Sequence, residues 1–170
     1  DFFENLSDGI QYKEFVRIRE GIISHDELLI IAKYLFGNYP KLCSIVKDKY
    51  KFIFIDEYQD TSEDVVEIFL NHFKTSNKKN IIGFFGDAMQ SIYDDGIGNL
   101  DKYKGDDDGT VNEVFKMQNR RSPQLVIDLA NKLRTDAIKQ EPSTDQNAPN
   151  MIDGVVKQGK ILFLYSNSDD

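Results

Sequence analysis

The sequence predicts an α/β fold in which helices flank a parallel sheet. Two apolar runs, at residues 52–55 and 81–85, lack the alternation of polar and apolar residues that marks a half-exposed strand. Each run therefore predicts a strand that is buried on both faces. Between the two runs, apolar residues recur at helical spacing. The order strand, helix, strand predicts a right-handed crossover with the two strands parallel and adjacent.

The helices are predicted from their caps and from apolar periodicity. Residues 1–23 give a mixed pattern that favours a short helix. The next helix begins with a capping box, in which Ser24 is the N-cap and Glu27 lies three residues later, and it ends at Gly37-Asn38. Three more helices have a clear start, either a capping serine or a proline in the first turn. These starts are Pro40, Ser62 and the pair Ser122-Pro123.

The remaining segments are predicted to be loops and isolated strands. Residues 94–109 are rich in Gly and Asp, which is typical of an exposed loop. Residues 110–117 alternate weakly and favour a strand. Residues 135–158 combine two prolines with many polar residues, which predicts a linker or a long surface loop. The apolar run at 161–165 predicts a last buried strand.

Composition narrows the class of protein. The chain has 170 residues, of which 40% are hydrophobic and 29% are charged, so it suits one domain with a fragment of a second. Its single cysteine, Cys43, cannot form an internal disulfide, which favours a reducing compartment, and we expect the cytoplasm. The chain contains no run of 18 apolar residues, so no membrane-spanning helix is predicted. The net charge of −8 argues against a large non-specific nucleic-acid surface, but it leaves room for a narrow groove.

Carboxylates follow both predicted central strands. Asp56 and Glu57 come directly after the first strand, and Asp87 follows the second. Ligands of open parallel sheets bind outside the carboxyl ends of the strands. One carboxylate there can hold a hydrated Mg²⁺, and its neighbour can orient and deprotonate an attacking water. The alternative is an acidic turn that only ends a core strand.

Three motifs in order carry a resemblance to a known family. They are DEYQDT at 56–61, GDAMQSIY at 86–93 and NRRS at 119–122. Together they resemble motifs II, III and IV of the UvrD/Rep-like superfamily 1 DNA helicases, over about residues 28–131. The resemblance implies part of a RecA-like P-loop NTPase domain, with a parallel sheet and flanking helices, followed by the start of a second RecA-like domain.

The resemblance also implies roles for individual residues in ATP hydrolysis. Asp56 would hold the Mg²⁺ of MgATP through water, and Glu57 would be the base for the hydrolytic water. Gln90 would contact the γ-phosphate or its water, since an amide both donates and accepts hydrogen bonds. Arg121 would reach the γ-phosphate and stabilise the charge of the transition state.

The remaining implied roles concern DNA, the nucleotide base and support of motif II. Tyr93 would face single-stranded DNA, where aromatic stacking tolerates any base. Gln59 and Asp60 would support motif II or couple it to other motifs. Arg120 occupies the position where the family usually has a tyrosine that stacks on adenine. The implied cofactor and substrate are Mg²⁺ and ATP, and the implied partner is single-stranded DNA or a junction of single-stranded and duplex DNA, with no membrane.

The chain departs from the family pattern in several places. After Tyr93 the family usually continues with an aromatic residue and Arg-Gly-Ala, whereas here two acids, Asp94 and Asp95, follow. No Walker A motif precedes the central strand, and motifs V and VI are missing. Residues 154–160 match GxxxxGK, but Ile161 stands where Ser or Thr is required, and the segment follows motif II rather than preceding it.

We therefore expect a middle piece of a larger ATP-dependent DNA helicase or translocase. Residues 1–118 are predicted to be the later part of a RecA-like ATPase domain, 119–134 motif IV and its helix at a domain boundary, 135–158 a linker or long loop, and 159–170 the first strand of a second motor domain. The piece alone is expected to hydrolyse no ATP. One alternative is a degenerate helicase-like module for protein interaction or regulation. A less favoured one is a metal-dependent nuclease or phosphatase using Asp56, Glu57 and Asp87.

Overall fold

The computed structural model describes residues 9–104 and 111–165. The chain divides into two compact units, Asp1–Asn112 and Glu113–Asp170. The helices of the described residues are α1 (His25–Asn38), α2 (Pro40–Lys49), α3 (Glu63–Leu70) and α4 (Gln124–Leu133). The strands are β1 (Gln11–Tyr12), β2 (Ile22–Ile23), β3 (Phe52–Ile55), β4 (Ile81–Phe84), β5 (Gln118–Asn119), β6 (Glu141–Pro142), β7 (Met151–Ile152) and β8 (Val155–Val156).

The first unit is built on the predicted strand–helix–strand crossover. Strands β3 and β4 pair in parallel, from Phe52 opposite Ile81 to Ile55 opposite Phe84, with α3 between them in the chain. This confirms the predicted parallel pairing. Helices α1, α2 and α3 and the 3₁₀ turn His72–Thr75 supply a core cluster that packs on one face of these strands, against Ile53 and Ile82. The buried members of that cluster are Cys43, Ile68 and Phe73.

The prediction that both central strands are buried on both faces is wrong, because neither strand contains a buried residue, and Ile81 and Phe85 of the second run are 60% and 53% exposed. The side chains of Phe52 and Phe54 are 63% and 66% exposed, whereas Ile53 between them is half-buried. The reason is that the helices cover only one face of a two-stranded sheet. Side chains on neighbouring positions of a strand point to opposite faces, so every second residue of β3 remains uncovered.

The prediction of a helix before residue 24 is also wrong. Among the described residues of that segment, β1 and β2 pair in parallel and a 3₁₀ turn over Ile18–Glu20 joins them. The turn ends at Gly21, whose φ of 75° is readily adopted by glycine. The long-range pairing of two short strands therefore overrides the weak local preference for a helix.

The helices of the first unit begin where their caps predict. The backbone N–H and the hydroxyl of Ser24 both donate to the Glu27 carboxylate, at 3.0 and 2.5 Å. Ser62 accepts a hydrogen bond from the Asp64 N–H at the start of α3. Helix α2 begins at Pro40, in its first turn as predicted, and ends at Lys49. Its last turn includes Lys47, which is buried and donates to three backbone carbonyls, those of Phe73, Ser76 and Lys78.

The predicted exposed loop at 94–109 is partly buried. Leu100 and Tyr103 lie in a second core cluster with Val66 and Leu70 of α3. A 3₁₀ turn over Asp101–Tyr103 brings both side chains inward. Residues 105–109 of that prediction lie outside the described residues. The apolar residues of this Gly- and Asp-rich segment therefore anchor it to the unit.

The second unit combines α4 with short strands. Strand β5 pairs in parallel with β6, and β7 pairs with β8 in an antiparallel hairpin. Helix α4 begins at Gln124 with Pro123 at the N-cap position, one residue later than predicted, and buries Ile127. Residues 135–158, predicted to be a linker or long loop, thus carry three of these strands, β6, β7 and β8.

Two predicted strands, at residues 110–117 and 161–165, are wrong for the residues that the structure describes. The described part of the predicted strand at 110–117 forms no strand, and pairing begins only at Gln118. Residues 161–165 also form no strand, and Leu162, Phe163 and Leu164 are each at least 80% exposed. An apolar run forms a strand only when a second strand satisfies its backbone groups, and none in the described residues pairs with this run.

None of the helices that the structure describes has the length and apolar character needed to cross a bilayer.

Candidate functional site

The two strand tips of the first unit lie side by side. Strand β3 leads into Asp56 and Glu57, and β4 leads into Phe85, Gly86 and Asp87. The pairing continues beyond the strands, because the Phe85 N–H donates to the Ile55 carbonyl at 2.8 Å and the Tyr58 N–H donates to the Phe85 carbonyl at 3.0 Å. Three carboxyl side chains are thereby presented at one edge of a stiff pair of strands.

Glu57 has an unusual backbone conformation. Its φ of 49° and ψ of 47° lie in the left-handed region, which a residue with a Cβ adopts at a cost of about 1–3 kcal/mol. The conformation turns the chain sharply from β3 into a 3₁₀ turn over Tyr58–Asp60. The Glu57 N–H donates to Asp56 Oδ1 at 3.1 Å. Both side chains remain exposed, as a site for a solute at the strand tip requires.

Gln59 is the buried centre of this region, with 1% of its surface exposed. Its Nε2 donates to Glu57 Oε2 at 2.8 Å and to Asp60 Oδ2 at 3.3 Å. Its Oε1 accepts the backbone N–H of Asp87 at 3.1 Å. One side chain therefore joins the carboxylates of Glu57 and Asp60 to the tip of the second strand. Sequence reasoning named Gln59 only as a supporting residue, because its burial and its link to Asp87 depend on the pairing of β3 with β4.

The second strand tip holds Gln90. Asp87 caps the 3₁₀ turn over Ala88–Gln90, since its Oδ1 accepts the Met89 N–H. Its Oδ2 accepts a hydrogen bond from Gln90 Nε2 at 3.1 Å. The side chain of Tyr93, three residues further on, is 60% exposed. Gln90 and Tyr93 are therefore both exposed and close together in the chain, and both belong to the same unit as Asp56 and Glu57.

Asp60 joins the strand tips to the segment that follows Gln90. Its Oδ1 accepts the backbone N–H of Ile92 at 3.0 Å, while its Oδ2 accepts from Gln59. Its carboxylate therefore spans the turn after β3 and the segment after β4.

Arg120 and Arg121 belong to the second unit, where a network of amides fixes their backbone. Asn119 Oδ1 accepts the N–H groups of Arg121 and Ser122, at 3.0 and 2.8 Å. Asn150, with 1% of its surface exposed, donates through Nδ2 to the carbonyls of Asn119 and Ser122, both at 2.9 Å. Its backbone N–H donates to the Arg120 carbonyl. Sequence reasoning missed Asn150, because nothing in its polar neighbourhood distinguishes it from exposed asparagines.

The side chains of the two arginines differ. Arg120 pairs with Asp145 at 2.6 Å, whereas Arg121 is exposed. The backbone N–H of Asn147 and then the Arg120 guanidinium hold the pKa of Asp145 below its ordinary value. Arg120 is therefore engaged within its own unit.

The GxxxxGK match at 154–160 forms no phosphate loop. Asp153 and Gly154, with φ of 51° and 76°, are the two turn residues of the β7–β8 hairpin. Two successive positive φ values are typical of the tight turns that join antiparallel strands. The segment therefore includes a strand of a hairpin, rather than joining a strand to a helix.

The donor set at the first strand tip suits a hydrated Mg²⁺ better than a fully protein-bound metal. Mg²⁺ in nucleotide sites is held by one or two carboxylates together with substrate phosphates and water. Asp56 alone can supply the one carboxylate that such a site needs. Among the residues that the structure describes, no three His, Cys, Asp or Glu side chains are grouped to hold a metal ion. The nuclease or phosphatase alternative, which needs Asp56, Glu57 and Asp87 as joint ligands, therefore gains no support.

Residues 9–104, more than half of the chain, match the model of the UvrD/REP helicase N-terminal domain. The chain belongs to the UvrD/REP helicase family. The match includes Asp56, Glu57, Gln90 and Tyr93 and ends before Arg120, which lies in the second unit. The motif resemblance is thereby confirmed at the level of the family.

Individual relatives agree with this assignment. The Gabija protein GajB of Bacillus cereus (strain HuB5-5) is 44% identical over 122 residues, which are 69% of this chain. The ATP-dependent DNA helicase PcrA of Staphylococcus aureus (strain Mu50 / ATCC 700699) is 28% identical over 127 residues, 73% of this chain. In both cases the chain spans only 17% of the relative's length.

Proposed function

We propose that this chain is part of an ATP-dependent DNA helicase or translocase that couples ATP hydrolysis to movement along single-stranded DNA and to duplex unwinding. The observation that carries the proposal is the carboxylate pair Asp56-Glu57 at the tip of β3, beside the Asp87–Gln90 turn, in a member of the UvrD/REP helicase family. The name of the relative PcrA states ATP dependence and DNA helicase activity. The unit around β3 and β4 would be part of a RecA-like domain.

Each residue at the strand tips has a distinct proposed role in hydrolysis. Asp56 would hold Mg²⁺ through water, and this ion would neutralise phosphate charge. Glu57 would accept a proton from the attacking water, and its left-handed backbone and its bond to Gln59 keep the carboxylate in one orientation. Gln90 would contact the γ-phosphate or its water. Exposed Arg121 would stabilise transition-state charge as part of the second unit.

Two further roles concern ligands beyond the phosphates. Tyr93 is exposed and would stack on bases of single-stranded DNA or of a junction. Arg120 would lie near the nucleotide base, where the family usually has tyrosine. Its ion pair with Asp145 must open or adapt if the guanidinium is to stack on that base.

The proposal is tested on the full-length parent, because the chain spans 17% of its relatives. Steady-state ATP hydrolysis would be measured with Mg²⁺, with and without a single-stranded oligonucleotide. Strand displacement from a partial duplex would be followed in parallel. We expect ATP turnover that single-stranded DNA stimulates, and displacement that requires ATP. A parent that binds DNA but shows no stimulated turnover would contradict the proposal and would favour the alternative of a degenerate interaction or regulatory module.

A further inference from the structure

Residues 47–52 and 76–81, here called the basic edge, lie where the two central strands begin. The first segment contains the end of α2 and the start of β3, and the second leads into β4. Together they contain five lysines and a single acidic residue, Asp48, in a chain whose net charge is −8. The two segments are adjacent, because the Ile81 N–H donates to the Lys51 carbonyl at 2.9 Å. Positive charge is therefore concentrated at the opposite ends of the strands from motif II.

Buried Lys47 holds the two segments of the basic edge together. Its Nζ donates to the carbonyls of Phe73, Ser76 and Lys78, at 2.6, 3.1 and 3.0 Å. An ammonium group has three N–H donors, so all of them are used on carbonyl groups, which solvate the charge without neutralising it. The loop before β4 is thereby fixed to the end of α2, and the positive charge of Lys47 is kept at the basic edge.

An open groove of about 600 Å³ lies along the basic edge. Its lining includes three lysines with exposed side chains, Lys51, Lys78 and Lys79. It also includes Asn80, whose Nδ2 is buried and has no hydrogen-bond acceptor within the part of the chain that the structure describes. A buried N–H group without an acceptor costs free energy, which a ligand that supplies the acceptor would recover. The polar side chains of the lining all carry N–H donors, so the groove suits an anionic ligand that accepts hydrogen bonds.

Asp48 neutralises only part of this positive charge. Its Oδ1 lies 3.2 Å from Lys78 Nζ and 3.7 Å from Lys51 Nζ, and all three side chains are more than half exposed. One carboxylate is thus shared between two lysines. The carboxylates of motif II lie beyond the far end of a four-residue strand, about 13 Å away, which exceeds the Debye length of about 8 Å at physiological salt. They therefore do not cancel the field of the basic edge.

We propose that the basic edge is a binding site for the phosphate backbone of duplex DNA, separate from the single-strand contact proposed at Tyr93. Lysine ammonium groups act as point charges, which suit phosphates and read no base sequence. A duplex presents one negative charge per about 1.7 Å of its axis, twice the density of a single strand, so a few exposed lysines gain most from a duplex. The choice of DNA among polyanions rests on the proposed function, whereas the anionic character of the ligand rests on the lysines alone.

The experiment measures binding of a fluorescent blunt-ended duplex to the full-length parent by anisotropy, without nucleotide and across a series of salt concentrations. A blunt duplex offers no single-stranded end to Tyr93. The slope of log Kd against log salt counts the phosphates that the protein neutralises, at about 0.9 per phosphate. The decisive variant combines Lys51→Gln with Lys79→Gln, which removes one groove lysine before each strand. The matched control combines Lys13→Gln with Lys41→Gln, which removes the same charge from exposed positions of the same unit.

We expect the wild-type parent to bind the duplex with a steep dependence on salt. The double variant at Lys51 and Lys79 should weaken binding at low salt by about 10-fold or more and lower the magnitude of the slope by about 2, one for each lost phosphate contact. The control variant should keep the wild-type slope, because its two lysines lie outside the groove.

Asp48→Asn tests the same charge from the opposite direction. It removes the carboxylate that Lys51 and Lys78 share, so both ammonium groups become available to phosphates. We expect tighter binding of the duplex and a steeper slope. A variant that only disturbed the fold would not gain affinity, so this result separates a charge effect from a structural one.

Three results would overturn the proposal. The first is a wild-type parent that binds no blunt duplex. The second is a double variant at Lys51 and Lys79, confirmed as folded by its thermal unfolding, that keeps the wild-type Kd and slope. The third is an Asp48→Asn variant that gains no affinity, and this variant alone decides if the double variant does not fold.

An acidic protein segment is the alternative ligand, and an oligo-glutamate peptide titrated in parallel represents it. Tighter binding of this peptide than of the duplex, lost in the same double variant, would assign the basic edge to an acidic protein and overturn the assignment to DNA. The proposed function fails separately, when single-stranded DNA does not stimulate ATP turnover. Because the duplex measurement involves neither nucleotide nor turnover, the two failures are distinguishable.

Discussion

Gly86 illustrates how tightly the strand tips surround Gln59. A Cβ at this position would lie 2.2 Å from Gln59 Oε1 and 3.0 Å from the backbone nitrogen of Tyr58. Real Cβ atoms do not approach other atoms so closely, so a side chain there must displace the buried amide or the backbone beside it. Glycine is thus required at this position for contact between the two strand tips, independently of any chemistry.

We predict that Gly86→Ala lowers the free energy of unfolding by about 1–3 kcal/mol through overpacking. Chemical denaturation of the purified protein measures the change. Gly154→Ala is the control, because Gly154 also has a positive φ but its nearest contact would be 3.6 Å away. A Gly86→Ala variant no less stable than Gly154→Ala would show that the Gln59 amide can move freely.

Asn150 is the residue that organises the segment of Arg120 and Arg121. It is buried, and its amide nitrogen satisfies two carbonyls that flank the arginines. We predict that Asn150→Ala destabilises the fold by about 1–3 kcal/mol, because the Asn119 and Ser122 carbonyls each lose the hydrogen bond from its amide, although the Asn119 carbonyl keeps the one from the Ser143 N–H. The control Asn147→Ala removes an exposed amide from the same segment and should change stability little. Equal unfolding midpoints for the two variants would contradict the role assigned to Asn150.

At the scale of elements, helix α1 depends on its capping box. The hydrogen bonds from the Ser24 hydroxyl and backbone N–H lower the pKa of Glu27 below its ordinary value. A lowered pKa means that the stabilisation is present above the unfolded-state pKa and is lost as the pH falls through the folded-state pKa. The cap should therefore act at neutral pH and fade in acid.

We predict that Ser24→Ala lowers the thermal unfolding midpoint by a few degrees at pH 7, and that the difference from wild type shrinks as the pH falls through the lowered pKa of Glu27. Differential scanning calorimetry across this pH range measures both effects. A difference that stays constant down to the acid limit would mean that the Glu27 carboxylate takes no part in the cap.

The elements that sequence predicts best are those with strong local patterns. Helices α1, α2 and α3 have caps and periodic apolar residues, and β3 and β4 are uninterrupted apolar runs. The two-residue strands β1, β2, β5 and β6 escape prediction, because each exists only through a partner elsewhere in the chain. The β7–β8 hairpin did have a local signal, the turn residues Asp153-Gly154, which the polar composition of the segment obscured. The run at 161–165 shows the converse, since it has a strong strand pattern but no partner in the described residues.

At the scale of the whole molecule, one face of the β3–β4 pair is open. Phe52, Phe54, Ile81 and Phe85 are each more than half exposed, and the rings of Phe54 and Phe85 contact each other edge to face at 5.6 Å. Apolar patches of this kind usually mark a surface that another part of a protein covers. The chain spans only 17% of the relatives that it matches, and we propose that another part of a full-length protein covers this face.

We predict that the isolated 170-residue chain binds a hydrophobic dye such as ANS far more strongly, per mole, than the full-length parent does. The reason is that the parent buries the aromatic face of β3 and β4. Phe54→Ser in the isolated chain should reduce the dye signal, whereas Phe73→Ser, at a buried position, should not reduce it. Equal dye binding by the isolated chain and the parent would contradict the prediction.

The candidate site was predictable where it follows from motif order and strand polarity. Asp56, Glu57 and Asp87 were expected at one edge because parallel strands end together, and the pairing of β3 and β4 confirms that placement. The bonds of Gln59 to both strand tips and the hydrogen bonds of residues 92–98 to residues 59–61 were not predictable. They depend on contacts between residues about 30 positions apart, which no local pattern records.

The central claim is that Glu57, at the tip of β3, is the base of a DNA-stimulated ATPase. The most direct measurement compares DNA-stimulated turnover of the full-length parent with that of Glu57→Gln, which keeps the shape of the side chain but cannot accept the proton. Glu63→Gln, an exposed glutamate of the same unit, is the control. We predict a loss on the order of 100-fold or more for Glu57→Gln with ATP binding retained, and little change for the control. Turnover that survives in Glu57→Gln would contradict the account.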